Sequence, residues 1–314
     1  MTAVATTPAV CGLFLFAQVA HAGLEKYSAF VVADATAKAP PKDAIRVTYL
    51  GVNGFQFEAG DHALLVDPYF TRVGFWSAAL NERIESKPDR VSEGLKYVRP
   101  HADAVLVTHA HFDHLLDVPE IARRTRARVF SGPTAIKLVR SLGVPNEKCE
   151  IVKPGTAQTI GPWRIRVFAV QHDRLFGTVP FPGRIEAQAH PPTKASDWVV
   201  GEPLAFVVEA AGKRIYIDSG GVPGSPPDPA VGRVDLAILG AALPDSRRRF
   251  AEVVRQLQPR YTLPSHQDDF FAPLDRGFNF DKLTNFPQLI YVFEKEHLPG
   301  RLILIDYFRP WTLR

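Results

Sequence analysis

Cysteine is nearly absent from this chain, with Cys11 and Cys149 alone in 314 residues. Cys11 falls in a segment that reads as a cleaved leader, so the mature chain would keep a single thiol and form no internal disulfide. Charge of one sign is also lacking. A formal net charge of +4 is modest and does not by itself argue for nucleic acid, which would want a concentrated basic face, so no nucleic-acid partner is expected. The basic runs Arg123-Arg124-Thr125-Arg126-Ala127-Arg128 and Arg247-Arg248-Arg249 lie in or beside expected helices and read as solvated faces. No short-period repeat or low-complexity tract is visible. No apolar run has a comfortable membrane-spanning length, so no stable span is expected after processing.

The first 22 residues lack Lys, Arg, Asp and Glu. Val10-Cys11-Gly12-Leu13-Phe14-Leu15-Phe16 opens an apolar stretch, and Ala20-His21-Ala22 has the A-x-A form of a cleavage site. This predicts a signal peptide over 1–22 and export to the periplasm or medium, with a cytoplasmic protein as the alternative. Residues 23–42 read as a linker ending in an Ala/Pro/Lys-rich stretch, and 43–314 as one catalytic-sized domain. The hydrophobic share of 46% and charged share of 22% are those of a globular chain.

Three strands follow quickly, Ile45–Leu50, Gly54–Glu58 and Ala63–Val66, a meander by its short turns. Asp67-Pro68 closes the third. The run Ala104-Val105-Leu106-Val107 reads as a buried strand. Asp117 then reads as a helix cap, with Pro119 in the first turn. Between that strand and that helix lies Thr108-His109-Ala110-His111-Phe112-Asp113-His114. In extended chain alternate residues face one way, so His109 and His111 can grip one ion. Asp113 and His114 point differently and can serve a second. Imidazole and carboxylate suit zinc, with iron or manganese as alternatives.

Later strands end on further ligand types. His172 follows the alternating run Arg164–Val170, Asp218 follows Lys213–Ile217, and His266 follows Tyr261–Pro264. Leu204–Glu209 and Lys213–Ile217 read as a hairpin. Asp235–Leu239 reads as a buried strand, and residues 245–258 as an amphipathic helix carrying Phe250, Val253, Val254 and Leu257. A helix near Asp281–Glu296 and a strand Arg301–Ile305 complete the expected elements.

The His109–His114 stretch resembles the HxHxDH signature of the metallo-β-lactamase superfamily, and the resemblance covers the chain from about Ile45 onward. It implies an αββα sandwich of the α/β class and two divalent metal ions. By resemblance, His109, His111 and His172 hold the first metal, Asp113, His114 and His266 hold the second, and Asp218 looks like the bridging carboxylate. Asp67 looks like the residue that supports the metal loop; an Asp that simply ends a strand before Pro is the other reading. Ser219 stands where the family often has Thr.

The implied chemistry is metal-assisted hydrolysis, with a hydroxide shared by two metals as nucleophile and Asp113 as its proton acceptor. The region Val47–Pro68 looks similar to proteins near ascorbate-6-phosphate lactonase and N-acyl-phosphatidylethanolamine phospholipase D. A small molecule with a lactone, ester or amide bond is the first substrate class. A phosphodiester or a β-lactam is the alternative, and metal binding without turnover is the reading from a different class.

Residues 69–100 are an insertion that ends in an expected helix near Arg90–Val98, and residues 173–203 a second insertion without periodicity. They carry Phe75 and Trp76 on one side and Phe176 and Trp198 on the other. Two readings stand for these aromatics: walls of an apolar substrate mouth, or side chains that pack the loops onto the domain.

Overall fold

The computed structural model describes residues 23–35, 40–187, 189–281 and 283–314. The expected leader at 1–22 and residues 36–39 of the expected linker lie outside the described residues. Fourteen strands, β1 Ile45–Gly51, β2 Gly54–Ala59, β3 His62–Val66, β4 Ala104–Leu106, β5 Arg128–Ser131, β6 Cys149–Ile151, β7 Ala157–Ile160, β8 Trp163–Ala169, β9 Leu204–Ala210, β10 Lys213–Asp218, β11 Leu236–Gly240, β12 Tyr261–Ser265, β13 Arg301–Leu302 and β14 Pro310–Leu313, form two sheets of seven. The first runs β14-β1-β2-β3-β4-β5-β6 and the second β13-β12-β11-β10-β9-β8-β7. In each, one half is antiparallel and the other parallel.

Side-chain alternation explains the layering. Leu64 and Val66 of β3 belong to the cluster between the sheets, with Phe57, Ile165, Phe206 and Ile217. Their neighbours Ala63 and Leu65 belong to a second cluster, with Ile121 and Val139 of the helices Val118–Thr125 and Pro133–Ser141. The helix Pro244–Leu257 lays Phe250, Val253 and Leu257 on the second sheet. This is the helix–sheet–sheet–helix arrangement of the metallo-β-lactamase fold.

Topology then gathers the site. Strand β9 is antiparallel to both β8 and β10, and β10, β11 and β12 are parallel. The carboxyl ends of β8, β10 and β12 therefore lie at one edge. A backbone bond from Leu204 N to Thr108 O, 2.8 Å, joins the end of β4 to that edge. Gly240 permits the crowding there, since a Cβ on it would lie 2.1 Å from the carbonyl carbon of Ser219.

Several expectations are corrected. Residues 23–35 are not a loose linker: Leu24 is buried, Val31 bridges Leu304, and Tyr27 packs edge-on against Phe280 and Phe286. The last helix is Phe286–Lys295, shorter than expected, because Asn285 caps it by accepting from Gln288 N. Only Arg301–Leu302 pairs as β13, and the chain then crosses to the first sheet as β14. Asp117 stands at a helix N-cap position but makes no cap bond. Its carboxylate accepts instead from Phe70 N, Thr71 N, Thr71 Oγ1 and Ser86 Oγ, fastening the first insertion.

Candidate metal centre

The loop after β4 carries four ligand-type side chains, and two three-membered groups form around them. His109 Nε2 lies 3.0 Å from His111 Nδ1 and 3.2 Å from His172 Nε2. Asp113 Oδ2 lies 3.0 Å from His266 Nε2 and 3.5 Å from His114 Nε2. Within each group the candidate donor atoms all fall within 4.8 Å of one another. Six donors thus converge in two sets, each built from two loop residues and one residue from the second sheet.

Four of the five rings are oriented by their other nitrogen. His111 Nε2 bonds Pro180 O at 2.9 Å, and His172 Nδ1 bonds Asp173 O at 2.7 Å. His114 Nδ1 bonds Asp67 Oδ2 at 2.8 Å. His109 Nδ1 faces Thr108 Oγ1 at 3.2 Å and Ser219 Oγ at 3.3 Å. His266 Nδ1 is buried without a hydrogen-bond partner among the described residues. The backbone of His266 has φ 53°, and its N–H donates to Val52 O at 2.6 Å. A non-glycine residue in that region is held there by its surroundings.

Asp67 is the hub beneath the loop. Fully buried, with φ 39°, it accepts from Thr108 N at 2.8 Å, from Thr108 Oγ1 at 2.5 Å and from Asn53 Nδ2 at 2.8 Å besides facing His114. Asn53 in turn accepts from Ser265 Oγ at 2.7 Å, coupling the loop to the residue before His266. Nothing in the sequence around Asn53 marks it for this.

Burial drives the electrostatics. Desolvation holds His109 well below the usual imidazole range, with the neighbouring histidines adding to the effect. Desolvation and then His172 pull His111 down to about 3. Burial lowers His172 as well. His114 behaves oppositely: burial disfavours its charge, but Asp113 and Asp67 outweigh that and push it up to about 10. Burial would raise Asp113, yet His114 and His266 hold it well below the carboxylate range. Neutral imidazoles and an ionised carboxylate are the forms that ligate metal; His109, His111, His172 and Asp113 favour those forms and His114 would lose its proton on binding, so the donor set fits divalent transition-metal ions.

Asp218 joins neither group. Its Oδ2 accepts from Tyr216 Oη at 2.9 Å and from Arg249 Nη1 at 2.8 Å, while Oδ1 has Gly220 N at 3.2 Å. A bridging role would therefore fall to Oδ1.

The aromatic candidates separate. Trp198 is 1% exposed and packs in the core cluster on the outer face of the first sheet. Phe176 is 93% exposed, and no ring packs on it among the described residues. Phe75 and Trp76 are 51% and 71% exposed and stack edge-on with each other. Phe270 and Phe271 complete their surroundings; they follow His266 in a stretch with no periodicity to single them out.

Residues 46–266 match the family model described as the beta-lactamase superfamily domain. A "UPF0173 metal-dependent hydrolase" of Rubrobacter xylanophilus is 30% identical over 73% of this chain and 84% of its own length. Among solved structures, Igni18, a metallo hydrolase of Ignicoccus hospitalis, superposes with a TM-score of 0.56 at 16% identity, covering 86% of this chain and 99% of that one. The metallo-beta-lactamase fold protein YhfI of Bacillus subtilis gives 0.54 at 15%, covering 86% and 99%.

Proposed function

We propose a function from a plain premise: this chain belongs to the metallo-β-lactamase superfamily. It is a metal-dependent hydrolase, the activity by which its curated relatives are named. The finer reading is a two-metal site that cleaves a lactone, ester or amide bond with water. What supports the two-metal part is the pair of three-donor groups, each with two members from one loop and a third from another strand end, a carboxylate in one and none in the other.

When bound, two divalent ions, zinc first and manganese or iron as alternatives, would supply Lewis acidity and a water of pKa about 7. The protein's own residues do the rest. Bonds to Pro180 O, Asp173 O and Asp67 take up the outer nitrogens of His111, His172 and His114 and leave the inner ones for ligation. Asp113, kept ionised by His114 and His266, can accept the water's proton and pass it to the leaving oxygen or nitrogen. Arg249 and Tyr216 occupy Asp218 Oδ2, so any bridging contact would fall to Oδ1, which takes a single bond from Gly220 N.

The test is hydrolysis of generic lactone, ester, amide, phosphodiester and β-lactam substrates, with and without chelator. The reading expects chelator-sensitive cleavage of a carbonyl substrate. Preference for the diester would replace the bond assignment, and no turnover by metal-loaded protein would refute the enzyme. Export rests on residues 1–22, and host-derived protein starting at Gly23 is its expected outcome.

A further inference from the structure

A line of rings leads away from the second ligand group. Phe270 stands edge-on to the His266 imidazole, centroids 5.2 Å apart. Phe271 lies 4.1 Å from Phe270, Phe75 lies 5.3 Å from Phe271, and Trp76 lies 5.2 Å from Phe75. Two segments far apart in sequence meet here, and the line ends in solvent: Phe75, Trp76 and Leu80 are 51%, 71% and 65% exposed. Core packing accounts for the inner rings but not for the outer ones. Clustered exposed aromatic surface marks a binding site more often than single exposed residues do. On the first group's side, Phe181 stands 6.2 Å from His111 and edge-on to it, so apolar surface flanks the centre there too. The fully exposed Phe176 touches none of these rings.

We propose that Phe270, Phe271, Phe75 and Trp76 form a track for the hydrocarbon part of the substrate, so that the natural substrate carries a linear or aromatic acyl or alkyl chain beside the scissile bond. The inference rests on the hydrolase reading for the bond and on the continuity of the rings with His266 for the chain. Phe270 and Phe271 set specificity in the inner half, and Phe75 and Trp76 in the outer half. A chain laid along them buries methylenes one after another, so affinity rises with length until the track is filled.

The experiment is equilibrium binding of monomeric butyrate, hexanoate and decanoate to the metal-loaded protein, read by calorimetry and by tryptophan fluorescence. Trp76 is a suitable reporter because Trp163 and Trp198 are 0% and 1% exposed and the half-buried Trp311 packs on Tyr261, at the opposite end of β12 from His266. Binding should tighten by up to about fourfold for each buried methylene. Phe271→Ala and Phe75→Ala should each weaken decanoate about tenfold and butyrate hardly at all. Trp76→Phe should remove most of the fluorescence change and keep the calorimetric binding. Affinity independent of chain length, or equal losses for butyrate and decanoate in well-folded variants, would overturn the track. So would binding to phosphatidylcholine vesicles without binding to monomeric decanoate, which would make the exposed rings a membrane contact. Chain-length dependence alongside failure to cleave any carbonyl substrate would leave the track standing and remove the bond assignment.

Discussion

The two ligand groups share one loop and differ in charge. The first has three imidazoles, all made poor bases by burial, and no carboxylate. The second has Asp113, with His114 held as a cation between Asp113 and Asp67. Burial is similar for His109 and His114, each 1% exposed, so burial alone does not decide protonation. The nearby carboxylates do, and in the second group they outweigh desolvation. The first group is ready to ligate as it stands. In the second, the carboxylates favour a protonated His114, and metal binding there would release that proton.

The largest break in this comparison comes from Asp113→Asn. It removes the second group's only carboxylate and the candidate proton acceptor, so hydrolysis should fall by about 10²–10⁴-fold. Circular dichroism must accompany the assay, since an unfolded variant would give the same loss. Activity near wild type with metal retained would mean that Asp113 has no such role. A smaller effect sharpens the contrast between the supports. Asp67→Asn keeps the shape, and Asn tolerates φ 39°, but it removes the charge facing His114. Metal affinity at the second group should drop about 10–100-fold. Asp173→Asn should change the first group less, because the backbone carbonyl of Asp173, which survives the substitution, bonds His172 Nδ1 at 2.7 Å, nearer than the carboxylate oxygen at 3.2 Å. Equal losses in both variants, followed by competition with a chromophoric chelator, would erase the asymmetry.

Local pattern made much of this legible. His109, His111, Asp113 and His114 lie within one loop, so their spacing alone places them together. His172 and His266 follow strands with clear alternation, and sheet topology brings those strand ends to one edge. The failures share a cause, which is distance in sequence. Asp117 looks like a helix cap locally, but its partners Phe70 and Thr71 lie more than forty residues away. Asp218 ends its strand, and its partner Arg249, on the helix packed against that sheet, lies thirty-one residues away. Trp198 and Phe176 occupy one aperiodic insertion; nothing local separates the buried ring from the exposed one. Strand β14 is four residues opened by Pro310, too short for alternation to reveal, and pairing with β1 defines it.

The central claim is that the two groups each hold one ion. Its most direct test is elemental analysis of metal-saturated, desalted protein for the wild type, His111→Ala and His266→Ala. The account predicts about two ions per chain in the wild type, as in two-metal hydrolases, and about one in each variant, bound in different environments. A wild type that retains no metal, or one ion that both variants lose alike, would contradict it.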